Sequence, residues 1–331
     1  MLQPVTIAGS DLRTPRMVLG GNMLGSAVDE RASFALLDRW VEVGGVLVDT
    51  AAVYADWVPG VPRGSSEKTI GRWLRARGPT GLHVATKGGH PPLDDPGRSR
   101  LDAAAVRADI ERSLTRLGLA SLPLWFAHRD DPSRPVADIV GPVEALRSEG
   151  LLQWYGLCNW STERLAEVVQ LRDAGMATGF VATQTALAAA TPRPGALIPG
   201  LVAADEAMLQ LHRASSVTLL AYSAQAKGYF DAVAAGHVSA ATELYDAPGN
   251  RLTADIVTEV AQRLGVTPTQ VALATVLAMD ASVMPIVGCS SPARLDAAVA
   301  AHDLALPAGD RRRLLAAARA ARDGRPADRS A

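Results

Sequence analysis

The chain is expected to fold as a parallel (β/α)8 barrel, class α/β, and three observations predict it. Eight short apolar runs alternate with stretches of helical period along 331 residues. Most of those runs are continuously apolar instead of alternating, as strands covered on both faces should be. The glycine-rich turn after the first run, Leu19-Gly20-Gly21-Asn22-Met23-Leu24-Gly25, lacks the Gly-x-Gly-x-x-Gly spacing that the competing doubly wound sheet would use.

Ahead of the first run, Val5-Thr6-Ile7 and the turn-rich Ala8-Gly9-Ser10-Asp11 suggest a small hairpin plugging the barrel bottom. The strand candidates follow in order: Met17–Leu19, Val46–Val48, Leu82–Thr86, Leu122–Ala127, Trp154–Leu157, Phe180–Thr183, Val217–Ala221 and Val283–Val287. Between the third and fourth, Val106, Ile110, Leu114 and Leu117 recur at helical spacing and predict a helix over Ala103–Leu117. Thr267-Pro268-Thr269-Gln270 reads as a capping box with proline at the first helical position, opening a helix through about Ala278. Ser291-Pro292 opens another in the same way. Three long connections, Tyr54–Ser66, Ala186–Gly200 and Ser223–Leu252, all follow strands, which places them on the C-terminal face where barrels keep their active sites. One barrel domain is expected over residues 1–322, followed by a polar, disordered tail over 323–331.

Composition narrows the function. A net charge of −1 without a basic stripe argues against nucleic acid as a partner. No apolar stretch approaches the roughly 20 residues needed to span a bilayer, and Met1 to Asp11 lacks the basic and apolar regions of a signal peptide. Two cysteines, Cys158 and Cys289, exclude a disulfide scaffold and point to a reducing cytoplasm. The six histidines contain no His-x-His pair, which counts against a metal-dependent barrel hydrolase, so no metal is expected. Richness in alanine and arginine fits a high-GC bacterial genome, and the oligomeric state is not legible.

Only Lys68, Lys87 and Lys227 are lysines among 33 basic residues, and Lys87 closes an apolar run. Arginine keeps its proton at any ordinary pH, whereas a lysine ammonium responds to its surroundings. Asp49 closes the preceding run, Tyr54 follows five positions later, and His128 closes the next one. In a barrel these tips converge. A phenol with a pKa near 10 is a poor acid at neutral pH. A neighbouring ammonium stabilises its phenolate, a carboxylate holds the ammonium, and a histidine can hydrogen-bond a carbonyl oxygen. Together the four could protonate an oxygen as hydride reaches its carbon. Each taken singly has an ordinary explanation as a cap, a rim aromatic or a strand-end residue.

The ordered set Asp49-Thr50-Ala51-Ala52-Val53-Tyr54, Ser66-Glu67-Lys68-Thr69-Ile70-Gly71, Ala85-Thr86-Lys87, Ala127-His128-Arg129, Gly156-Leu157-Cys158-Asn159-Trp160, Gln184, Ala221-Tyr222-Ser223, Gln270-Val271-Ala272-Leu273-Ala274 and Gly288-Cys289-Ser290-Ser291 resembles the aldo-keto reductase family. The likeness runs from about Gly20 to Arg294. It implies NAD(P)H-dependent reduction of a small-molecule aldehyde or ketone without a metal, and Arg294 favours NADPH (NADP+) over NADH. By position, Tyr54 becomes the general acid, Lys87 the group that tunes it, Asp49 the partner of Lys87, and His128 the group that orients the carbonyl. Asn159 and Gln184 would hold the nicotinamide carboxamide, and Tyr222 would stack on its ring. Gly21, Asn22, Ser223, Gln225, Lys227, Gly288, Ser290 and Arg294 complete the expected cofactor set. Backbone N–H groups at the helix after Ser290-Ser291 make an anion site, and Arg294 can add a charged contact to a 2′-phosphate.

The chain also departs from the family. Cys158 replaces a serine, Ala224 a proline, Ala55 the glycine after the tyrosine, and Ala297-Ala298 a Glu-Asn pair near the adenine. A regulatory subunit that binds NADPH as a sensor would show the same motifs.

Overall fold

The computed structural model of the protein describes residues 1–324. Eight parallel strands close into a barrel: β3 (Val18–Gly20), β4 (Leu47–Asp49), β5 (His83–Gly88), β6 (Leu122–Ala127), β7 (Leu152–Cys158), β8 (Phe180–Ala186), β9 (Thr218–Tyr222) and β10 (Val283–Gly288), with β10 pairing back onto β3. The (β/α)8 expectation holds. The N-terminal hairpin pairs β1 (Pro4–Thr6) with β2 (Arg13–Pro15) antiparallel. Its Ile7 and Leu12 are buried in the cluster that fills the barrel interior, with Val18, Leu47 and Leu124.

The continuous apolar runs have two destinations. In β6, Leu124 and Phe126 join the interior cluster. Trp125 and Ala127 join the cluster shared with the surrounding helices. Both faces of the strand are therefore removed from water, which is why no polar position interrupts the run.

Strand ends extend past the apolar runs, because ladder hydrogen bonds continue while polar side chains take over at the barrel mouth. Lys87 is thus followed by one more strand residue, and Gln184 lies inside β8 instead of at its end. The helix α3 (Ala103–Leu117) has the expected bounds and is capped by Asp102. The capping box of Thr267 and Gln270 opens α10 (Pro268–Met279), and Ser291 caps α11 (Pro292–His302).

Two loop assignments change. The segment after β9, read as one long connection to Leu252, carries the short helices α7 (Tyr229–Ala234) and α8 (Ala240–Tyr245), and α9 (Pro248–Leu264) already includes Leu252. Tyr229, Phe230 and Tyr245 bury themselves against Val257 and Val260 of α9, so an apolar cluster orders what the sequence reads as a long connection. A further long connection, residues 89–102 after β5, was not expected, although Pro91-Pro92 and Asp95-Pro96-Gly97 carry turn signals. It is anchored by Asp109 of α3, which accepts from the Gly89 N–H at 2.8 Å and pairs with Arg100. The last helix, α12 (Ala308–Arg322), ends at Asp323, and the tail expected to be disordered lies outside the described residues from 325 onward. No helix among the described residues is long and apolar enough to cross a membrane.

Candidate active site

The strand tips bring Asp49, Tyr54, Lys87 and His128 together. Lys87 Nζ donates to Asp49 Oδ1 at 2.8 Å, Asp49 Oδ2 at 2.7 Å, the Thr50 carbonyl at 2.7 Å and the Tyr54 hydroxyl at 2.8 Å. Both Lys87 and Asp49 are only 2% exposed, so neither charge can rely on water and each depends on the other. Tyr54 lies in the loop after β4 (residues 50–64), its ring 4.4 Å from Lys87 Nζ and edge-on to the His128 ring at 5.9 Å.

The electrostatics differ from the sequence expectation in one respect. Burial pushes the Tyr54 phenol above its ordinary value, and Lys87 pulls it back only in part. The phenol therefore holds its proton at neutral pH. Burial draws the Lys87 ammonium down, but Asp49 and Tyr54 more than reverse this, so it stays charged. Burial, aided by Lys87, holds His128 well below the usual histidine value, leaving a neutral ring whose Nδ1 has no partner among the described residues.

Two cavities meet at this cluster. One of about 730 Å³ runs from β3 across β9 and β10 to α11, and includes Gly21, Asn22, Ser223, Gln225, Lys227, Gly288 and Arg294. The other, about 690 Å³, is walled by Trp57, the 89–102 loop, Arg129 and Ile198 to Leu201. Tyr54, Trp57 and Tyr222 line both. Of the residues expected at the cofactor, Ser290 is exposed and does not line the first cavity. The cap at Ser291 turns the chain into α11 there, and Arg294, Ala297 and Ala298 of that helix line the cavity. Trp160, next to Asn159, is fully buried and stacks under the Arg164 guanidinium at 4.8 Å, so it does not line either cavity.

Asn159 and Gln184 line the second cavity. Gln184 Nε2 donates to Asp49 Oδ1 at 2.6 Å, a tie that no sequence pattern announces because 135 residues separate the two. Cys158 Sγ donates to Gln184 Oε1 at 3.6 Å, so the thiol takes up that contact on the amide oxygen. Asn159 sits at φ +63, accepts from the Tyr222 hydroxyl at 2.6 Å and donates to the His128 carbonyl at 3.3 Å. Each amide thus keeps a second N–H uncommitted to protein groups among the described residues. Sequence reasoning missed His90, whose ring packs 4.9 Å from that of His128 while its Nδ1 shares a hydrogen bond with the Pro91 carbonyl at 2.6 Å. Its only signal was a histidine in a proline-rich loop after a strand.

The model of the Aldo/keto reductase family matches residues 16–318. The chain belongs to the aldo/keto reductase family. Among similar proteins of this family, aflatoxin B1 aldehyde reductase member 2 of Rattus norvegicus is 31% identical over 51% of the chain and 43% of its own length. The aldo-keto reductase str7 of Strobilurus tenacellus is 33% identical over 41% of the chain and 37% of its own length. An uncharacterized 11.2 kDa protein of Pseudescherichia vulneris is 44% identical over 22% of the chain and 69% of its own length. The chain thus matches less than half the length of the two named reductases.

Proposed function

We propose that the protein is an NADPH-dependent carbonyl reductase in which Tyr54 is the general acid. The observation that carries this reading is the position of the Tyr54 phenol, 2.8 Å from a clamped ammonium at the junction of two cavities. Membership in a family of carbonyl oxidoreductases supports it.

The first cavity suits a dinucleotide. A Cβ on Gly288 would meet no atom within 4 Å, so any side chain there would take space the cavity leaves free. Arg294 lines it with no ion pair to its guanidinium among the described residues, and Lys227 adds a second cation. Both fit phosphate, and a 2′-phosphate in particular favours NADPH over NADH. Where the second cavity joins the first, Asn159 and Gln184 would hold the carboxamide through their free N–H groups, with Tyr222, which lines both, against the ring. The bound cofactor supplies hydride to the carbonyl carbon.

The chain's own residues handle the proton. Tyr54 donates its hydroxyl to the carbonyl oxygen and releases the proton as negative charge builds there. The phenolate left behind sits beside the Lys87 ammonium, which Asp49 and the Thr50 carbonyl hold in place. Gln184 in turn holds Asp49. His128, neutral, can hydrogen-bond the substrate oxygen without competing for the proton. A single barrel domain over 1–322 and a cytoplasmic setting go with this reading, and the buried free thiols Cys158 and Cys289 support the latter.

Tyr54→Phe is expected to lower kcat/KM by roughly 10²- to 10⁴-fold while NADPH binding, followed by fluorescence, stays within about threefold. Turnover of a panel of aldehydes at the wild-type rate would defeat the assignment. Running NADH in parallel checks the cofactor preference.

A further inference from the structure

The second cavity contains a charge with no ionic partner among the described residues. Arg129, directly after His128, is half-buried in its wall, and its guanidinium makes one hydrogen bond, Nη1 to the His128 carbonyl at 3.3 Å. No carboxylate lies within ion-pair distance of it among the described residues. The obvious partner is its neighbour Asp130, but Arg164 of α5 (Thr162–Asp173) captures that carboxylate in a two-pronged contact at 2.6 and 3.0 Å. The cavity's other cation, Lys87, is neutralised by Asp49.

The remaining titratable groups do not change this balance. Burial keeps His90 and His128 below the usual histidine value and pushes the Cys158, Tyr54 and Tyr222 hydrogens up, so all five are neutral at pH 7. Burial also draws Arg129 down from its ordinary value, as expected for a cation stripped of water without an anion beside it. Gly200 packs beside the side chain: a Cβ there would make ordinary van der Waals contact, 3.5 Å from Arg129 Cδ. The same cavity is lined by Trp57, Leu93 and Ile198, large apolar side chains left 53%, 50% and 69% exposed.

We propose that the second cavity takes a carbonyl compound with an apolar body and an anionic group, carboxylate or phosphate, and that Arg129 is the residue that selects for that group. This rests on the carbonyl-reductase reading above. An Arg fork pairs with either anion in two parallel hydrogen bonds, and such a contact inside a cavity is among the stronger polar ones. Arg129 is absent from the lining of the first cavity, so its charge serves the substrate side and not the cofactor phosphates.

The test compares kcat/KM with NADPH for three aldehydes, 4-carboxybenzaldehyde, 4-formylphenyl phosphate and the neutral methyl 4-formylbenzoate, in wild type, Arg129→Gln and Arg129→Lys. The wild type is expected to favour one anionic aldehyde over the ester by at least about tenfold. Arg129→Gln should remove most of that ratio, and Arg129→Lys should restore part of it. Which anion is favoured distinguishes carboxylate from phosphate. A ratio unchanged by Arg129→Gln, or a wild type that prefers the ester, overturns the proposal. If no aldehyde is turned over, the carbonyl-reductase reading fails separately. Calorimetry of benzoate on the NADP+-loaded proteins then decides the role of Arg129: tenfold weaker binding to Arg129→Gln upholds it, and equal binding overturns it.

Discussion

The two ends of the barrel are built from the same strands under opposite rules. At the N-terminal end, Ile7 and Leu12 from the hairpin close the interior with apolar contacts. Most polar groups around that end are held by hydrogen bonds: Arg16 Nη2 donates to the Leu277, Asp280 and Val283 carbonyls, and Trp154 Nε1 to Asp11 at 2.7 Å, while Arg16 Nε and the Thr14 hydroxyl stay buried without a partner among the described residues. At the C-terminal end lie a buried ion pair and, among the described residues, a histidine nitrogen without a partner and an arginine without a counter-ion. Five of the six non-glycine residues with left-handed φ among the described residues, Ala55, Asn159, Ser223, Ala226 and Lys227, are also there. One end is arranged for stability. The other tolerates strain and unpaired charge because those features face the cavities.

That contrast can be broken most severely at the buried pair. Asp49→Asn leaves the Lys87 ammonium buried without its counter-charge, at an expected cost of about 3–5 kcal/mol together with loss of turnover. Urea unfolding and steady-state kinetics read both, and a variant that kept either property would show that the pair matters less than its burial implies. The opposite end should separate the two effects. Ile7→Ala is expected to cost about 2–4 kcal/mol of stability with kcat of the folded enzyme within twofold of wild type. A large fall in kcat would mean that the plug also positions the mouth.

A smaller effect should appear with pH. The folded-state values of His90 and His128 lie below the ordinary 6.5. The unfolded chain therefore binds more protons below that pH, so stability is full above about 6.5 and declines as pH falls toward the folded values. Because His128 is already neutral, kcat/KM should show no inflection from it between about pH 6.5 and 8. An inflection there that disappears in His128→Gln would contradict this. The smallest effect concerns strain. Ala55 is buried at φ +70, where glycine is at ease. Ala55→Gly should stabilise the protein by about 0.5–1 kcal/mol, seen as a raised Tm, after allowing for the greater freedom glycine has when unfolded.

Much of this was readable along the chain. The eight apolar runs located the strands to within a few residues, because hydrophobic burial on both faces leaves a local trace. Asp49, Lys87 and His128 were legible because each closes such a run, and the position of Tyr54 followed from its loop. The strain at Ala55 was foreshadowed by the missing glycine. Other features left no trace. The helices α7 and α8 are ordered by contacts with α9 and not by their own periodicity. The 89–102 loop became a cavity wall only through its anchor on Asp109.

The sequence by itself determined the barrel, the order of its strands and which four side chains meet at its mouth, since patterning and strand order follow from neighbours in the chain. Only the tertiary structure decided the state of those groups. Gln184 reaches Asp49 across 135 residues, burial outweighs Lys87 in keeping Tyr54 protonated, and Arg164 takes the carboxylate that would have neutralised Arg129. Charge, burial and hydrogen-bond partners depend on distances in space, which the order of residues does not contain.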